Sequence, residues 1–236
     1  SITCTTEIEY NGLIYLYYHM LCSSVKGVII NGTSVYPAPV PQVPKCLSNL
    51  RLVRLYNGSL MMVWTNLPEV LCPTTVQASI LQPNGKWGPV FDITKCGHAW
   101  QVASNGKYVY IIWSPNCCEA CDIKNVKLLI TTLDGKVVTQ IKLPPSCSLN
   151  LSITEIHATC NKCCFIVCFP NGTADLINSS GNVIKTFRCY WYIGFLNCGS
   201  IYVYYFHHNL TIINGTREIV IKTYNNSIFF MPIVIN

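Results

Sequence analysis

The sequence predicts an all-β protein assembled from five like units of four antiparallel strands. Three observations lead there. Short runs of alternating apolar residues open on Asn/Gly-type turns at Tyr10-Asn11-Gly12, Tyr56-Asn57-Gly58, Ser104-Asn105-Gly106, Thr159-Cys160-Asn161 and Asn197-Cys198-Gly199. Each is followed by a second turn, at Asn31-Gly32, Asn84-Gly85, Asp134-Gly135, Ser180-Gly181 and Asn214-Gly215. Nothing in the chain shows a sustained helical period with caps.

The strands follow from these turns. In the second unit, Leu50–Tyr56 is expected to turn at Asn57-Gly58 into Leu60–Thr65. A longer loop then leads to Val76–Leu81, and Asn84-Gly85 turns into Trp87–Ile93. The third unit repeats this with Ala99–Ala103, Tyr108–Trp113, Val126–Thr132 and Val137–Leu143. Asn-Gly and Asp-Gly pairs between β-branched and aromatic runs are strong hairpin signals, because glycine and asparagine tolerate the left-handed backbone that a tight turn requires.

The opening turns recur at spacings of 46, 48, 55 and 37 or 38 residues. With four strands per period, the chain resembles a five-bladed β-propeller from roughly Thr5 to Asn236. The resemblance lies in the pattern: neither a WD dipeptide nor a kelch double glycine is present. It implies one propeller domain over residues 1–236, with blades near 5–46, 47–96, 97–147, 148–189 and 190–236. Stacked blades bury both faces of their inner strands. That suits Tyr108–Trp113 and Ile201–Phe206, which are apolar on both faces. Ring closure falls either to Ser227–Asn236 or to Ser1–Thr5. The rival architecture is a two-sheet sandwich, which lacks two regular turns per unit.

Fifteen cysteines follow the repeat. Cys22/Cys46, Cys72/Cys96, Cys121/Cys147 and Cys168/Cys189 lie 24, 24, 26 and 21 residues apart, at strand ends expected on one edge of each blade. They predict four bridges within blades, each worth roughly 3 kcal/mol by chain entropy. Cys160 and Cys198 occupy equivalent turns of neighbouring units and predict a bridge between blades. The pairing of Cys4, Cys117, Cys118, Cys163 and Cys164 is left open. Cys118-x-x-Cys121 and Cys160-x-x-Cys163 also have zinc-ligand spacing, but they fall near opposite faces of the expected ring. Disulfides are therefore the expected use, with no metal and no cofactor.

Composition points to export. Eight Asn-x-Ser/Thr sequons occur, at Asn31, Asn57, Asn150, Asn171, Asn178, Asn209, Asn214 and Asn225. N-glycosylation at these sites is expected, and Asn-Gly-Thr is good turn chemistry as well. Dense cysteines indicate an oxidising compartment. Ser1 is not a start methionine, which fits removal of a leader. The longest apolar run, Ile228–Ile235, has eight residues and contains Pro232, too short to cross a bilayer as a helix. Net charge is +6 without a Lys/Arg cluster, so nucleic acid is not an expected partner.

Candidate chemistry is sparse. Of ten acidic residues, Glu7, Glu9 and Glu155 fall on innermost strands, where a propeller glycosidase would hold its carboxylate pair. Glu119 and Asp122 sit in the long loop of the third unit. The competing role for all five is a solvated charge or a partner of Arg51, Arg54 or Lys124. His19, His98, His157, His207 and His208 show no metal spacing. Trp64, Trp87, Trp100 and Trp113 suit blade-to-blade packing. Tyr36-Pro-Ala-Pro-Val-Pro-Gln-Val-Pro44 either protects an edge strand or forms a docking strip.

With few carboxylates and many Ile, Tyr, Asn and Thr, the composition resembles that of exported or virion glycoproteins of thermoacidophilic archaea and their viruses. The expected role is an extracellular, non-enzymatic module: a virion surface or tail component, or a cell-surface filament subunit, acting in assembly or adhesion. Its partners would be other protein subunits, with glycans as a second class. The alternative is a secreted glycosidase or lectin-like glycan binder.

Overall fold

Tight turns and period-two alternation organise the molecule. A computed structural model describes residues 4–20, 22–55, 59–68, 72–118, 125–144, 155–158, 164–188, 192–196, 200–204, 209–214 and 217–222. These residues are all strand and turn, and none is helical.

The described strands form five four-stranded antiparallel sheets, each from consecutive strands in chain order. Sheet 1 holds β1 (Cys4–Tyr10), β2 (Leu13–His19), β3 (Lys26–Asn31) and β4 (Ser34–Pro37). Sheet 2 holds β5 (Leu47–Arg54), β6 (Leu60–Asn66), β7 (Thr75–Ile80) and β8 (Phe91–Asp92). Sheet 3 holds β9 (His98–Ser104), β10 (Tyr108–Ser114), β11 (Lys127–Thr132) and β12 (Val137–Lys142). Sheet 4 holds β13 (Glu155–Ala158), β14 (Cys164–Cys168), β15 (Thr173–Asn178) and β16 (Val183–Arg188). Sheet 5 holds β17 (Tyr192–Leu196), β18 (Ser200–Tyr204), β19 (Asn209–Asn214) and β20 (Arg217–Lys222). The first strands stand side by side, β1 against β5, β5 against β9 and β9 against β13. This is the radial arrangement of a propeller-type fold.

The hairpin chemistry is local. Asn11 and Gly12 both take left-handed backbone, with φ of 53° and 76°, and join Tyr10 directly to its partner Leu13. That two-residue turn matches the twist of the strands it connects. One strand is shorter than its sequence suggests. Where Trp87–Ile93 is expected, only Phe91–Asp92 joins the ladder, with an isolated bridge between Leu81 and Trp87. Pro89 has no N–H to donate. The Gly88 carbonyl is turned to the Ser79 hydroxyl instead, at 2.8 Å.

The core lies between sheets rather than within them. On β6, Met62 and Trp64 pack with Tyr17 and Ile29 of sheet 1, whereas Met61 and Val63 pack with Val109 and Ile111 of sheet 3. On β10, Val109, Ile111 and Trp113 face sheet 2, and Tyr110 and Ile112 face Phe165 and Val167 of sheet 4. Tyr110 and Phe165 stack with ring centres 4.1 Å apart. Successive residues of a strand point to opposite faces, so a strand buried on both sides must be apolar at every position. This accounts for the continuous run of β10. Turns add a second seam at the rim. A Cβ at Gly135 would stand 3.0 Å from Phe91 of sheet 2, and one at Gly181 would stand 3.0 Å from Ile141 of sheet 3. The third-to-fourth turns of sheets 3 and 4 thus rest on the outer strand of the preceding sheet, whereas a Cβ at Gly85 of sheet 2 would meet nothing within 4 Å.

Candidate functional site: the disulfide-bearing end

The loops between second and third strands, and the connectors between sheets, emerge at one end of the sheets. Cys22–Cys46 closes this end of sheet 1, with Cα atoms 4.0 Å apart. In sheets 2 and 3 the arrangement differs from the expected Cys72–Cys96 bridge. Cys72 pairs with Cys118 and Cys96 pairs with Cys117, at Cα separations of 4.9 and 4.6 Å. Both sulfurs of the adjacent pair Cys117-Cys118, in the loop after β10, therefore reach back to sheet 2 and its connector. The sheets are packed closely enough that the nearest thiol to Cys72 belongs to the next sheet rather than to its own fourth strand.

Hydrogen bonds run along the same seam. The Thr74 N–H donates to the Cys117 carbonyl at 2.9 Å. Its buried hydroxyl donates to the Gly97 carbonyl at 2.9 Å and lies 3.1 Å from the Cys117 carbonyl. Val76 N–H donates to the Thr94 hydroxyl, which donates to the Cys96 carbonyl. Deeper in, Ala99 N–H donates to the Thr65 hydroxyl at 3.0 Å, and the Asn49 amide donates to the Ala99 carbonyl at 2.6 Å. Gly97 has φ of +110°, and a Cβ there would collide with the Ser114 carbonyl and the Trp113 ring. His98 follows it and is buried, which pushes its imidazole below the usual value of 6.5.

The other expected residues are dispersed. Glu9 lies at the opposite end, where one carboxylate oxygen accepts from the Gly12 N–H at 2.9 Å and the other stands 3.2 Å from Arg54 of β5. Arg54 also donates to the Glu9 carbonyl. Glu9 is thus committed to an ion pair between neighbouring inner strands, the competing role assigned to it from sequence. Glu7 and Glu155 lie on β1 and β13, and their side chains fall outside the described residues, as do Glu119 and Asp122. Cys118 is consumed in a disulfide and supplies no thiolate to a zinc site. Cys164 is also disulfide-bonded. Cys121, Cys147, Cys160, Cys189 and Cys198 lie outside the described residues, and so do the bridges expected of them. Among the described residues, no three His, Cys, Asp or Glu side chains come together as metal ligands would.

The sequons sit at turns. Asn31 ends β3 and is exposed. Asn171 is exposed, and its side-chain oxygen accepts from the Thr173 N–H and hydroxyl at 3.0 and 2.7 Å. Asn178 caps its turn through Ser180 and Asn182 N–H groups, at 3.1 and 2.9 Å. Asn209 and Asn214 bound β19. Asn57, Asn150 and Asn225 lie outside the described residues. Part of the Pro-rich stretch forms a seam, with Ala38 and Pro41 buried while Tyr36 and Val40 stay exposed. The Pro39 carbonyl accepts from Tyr17 O–H at 2.8 Å and Trp87 Nε1–H at 2.9 Å, tying sheet 1 to sheet 2. Burial of Tyr17 pushes its phenol up to about 12.

No protein-family model matches the chain. No curated protein matches its sequence. Among solved structures, the C-terminal WD40 domain of Sif2 is similar with a TM-score of 0.53 and 13% identity, over 94% of this chain and 61% of that one. A protein of unknown function from Bacteroides caccae aligns with a TM-score of 0.47 and 12% identity, over 85% of this chain and 69% of that one. Hsv2 from Kluyveromyces lactis aligns at 0.48 and 9%, over 78% of this chain and 62% of that one. The chain thus spans about three fifths of the Sif2 domain, and that likeness carries the propeller-type fold alone.

Proposed function

We propose that this protein is an extracellular, glycosylated five-bladed propeller that works without catalysis, as a virion surface or tail component or a cell-surface filament subunit in assembly or adhesion. The observation that carries this reading is the pair of bridges Cys72–Cys118 and Cys96–Cys117 between neighbouring sheets. Structural disulfides of this kind persist outside the reducing cytosol. Exposed sequon turns at Asn31 and Asn171 support the same compartment. The scarcity of carboxylates supports an acidic one, since stability resting on ionised carboxylates is lost as pH falls. In this reading the fifth sheet closes the ring against the first, and partners are other protein subunits of the assembly. Electron microscopy of native material tests it: the chain is expected in a larger particle or filament. A monodisperse monomer with no larger particle would count against the proposal.

A further inference from the structure

The outer strands β12 and β16 repeat one another. Each is an edge strand of its sheet among the described residues. Each opens on an exposed aliphatic pair, Val137-Val138 at 58% and 44% and Val183-Ile184 at 54% and 46%. Each carries a register shift at the second residue of that pair, and each ends in a cation, Lys142 or Arg188. The two are adjacent, because the turn at Gly181 that leads into β16 rests on Ile141 and Thr139 of β12. Exposed single hydrophobics are ordinary. The same pair at the same register on neighbouring strands makes a repeated exposed apolar surface. No sequon lies between residues 98 and 142, so sheet 3 carries no glycan of its own, while the sequon Asn178 opens the turn that leads into β16.

We propose that the β12 edge, extended by Val183 and Ile184, takes up an extended apolar segment of another protein whose ends carry carboxylates. This rests on the assembly reading above and names the surface used. Charge selects the occupant. Lys136 and Lys142 flank β12. Asp134 and Asp175 keep their charges while accepting from the Thr132 and Thr186 hydroxyls, and Asp134 interacts with Lys136. At the other end Lys142 is paired with Lys127 across the ladder, so cations remain in excess. Two copies joined edge to edge would oppose lysine to lysine, which is unfavourable. An acidic-flanked strand satisfies the edge and the cations together.

The probe is a labelled peptide of alternating Val and Thr with two Glu at each end, titrated by fluorescence anisotropy. A second peptide carries Lys at the ends. The Glu-flanked peptide is expected to bind at least tenfold more tightly, with the difference narrowing in salt, and Val138→Asp together with Lys142→Glu is expected to abolish it. Lys142→Glu alone leaves the apolar surface intact and should still lower affinity severalfold. Equal binding of the two peptides overturns the proposal. Self-association removed by the Val138→Asp change overturns it in favour of a second copy. Peptide binding by a protein that is monomeric in native material would sink the assembly reading but not this site.

Discussion

Removing Cys72 and Cys96 together separates the two possible linkages of sheets 2 and 3. If the bridges are Cys72–Cys118 and Cys96–Cys117, the Cys72→Ser/Cys96→Ser protein loses both and strands Cys117 and Cys118. Those neighbours do not readily pair with each other, since adjacent Cα atoms stand about 3.8 Å apart and disulfides usually need about 4.4 Å or more. The inner bridge closes a separation of 21 residues, worth about 3 kcal/mol by chain entropy. The outer one spans 46, but with the inner bridge closed its effective loop is near 25 residues and contributes about 3.5 kcal/mol. Loss of both therefore lowers stability by about 6–7 kcal/mol, or roughly 15–25 °C in melting temperature for a domain of this size. Cys72→Ser/Cys118→Ser should lose only about half of that. The assay is thiol titration of the unfolded, non-reduced chain, with calorimetry alongside. The double variant at 72 and 96 should show two thiols more than the natural protein. An unchanged thiol count would refute the inter-sheet pairing and restore a Cys72–Cys96 bridge.

Three further outcomes follow from the same geometry. Gly97→Ala places a Cβ 2.6 Å from the Trp113 ring at a φ of +110°, and should cost roughly 3 kcal/mol or more in urea unfolding. His98 has a folded-state pKa below 6.5 through burial. On acidification the unfolded chain therefore takes up the proton first, and stability should fall from about pH 6.5 downward until the folded pKa is passed. His98→Gln should flatten that slope in pH-dependent thermal melts. Arg54→Ala removes an ion pair whose side chains are 53% and 61% exposed, and should lower the unfolding free energy from denaturant titration by less than about 1 kcal/mol, and by less still in high salt.

Much of the fold can be read along the chain because its information is local. Asn11-Gly12 specifies a tight turn by its own backbone preferences. The uninterrupted apolar run from Tyr108 to Trp113 already says that both faces of that strand are covered. Gly88-Pro89 carries the signal that the fourth strand of sheet 2 is cut short. The cysteine pairing was less legible, and for a definite reason. Spacing within one unit and spacing between units give competing partners for Cys72. The separation of Cys72 and Cys118, 46 residues, is close to the turn-to-turn period. That equivalence was the available signal for a bridge between neighbours, of the same kind as the one expected for Cys160 and Cys198.

The chain by itself determined that this protein is built from repeated four-stranded antiparallel units, because turn chemistry and alternation are properties of a few consecutive residues. Only the tertiary structure decided which unit touches which through what. The stapling of sheet 2 to sheet 3, the capture of the Pro39 carbonyl by Tyr17 and Trp87, and the commitment of Glu9 to Arg54 all join residues 21–48 positions apart. Such partners are chosen by distance between packed sheets, and no local pattern encodes that distance.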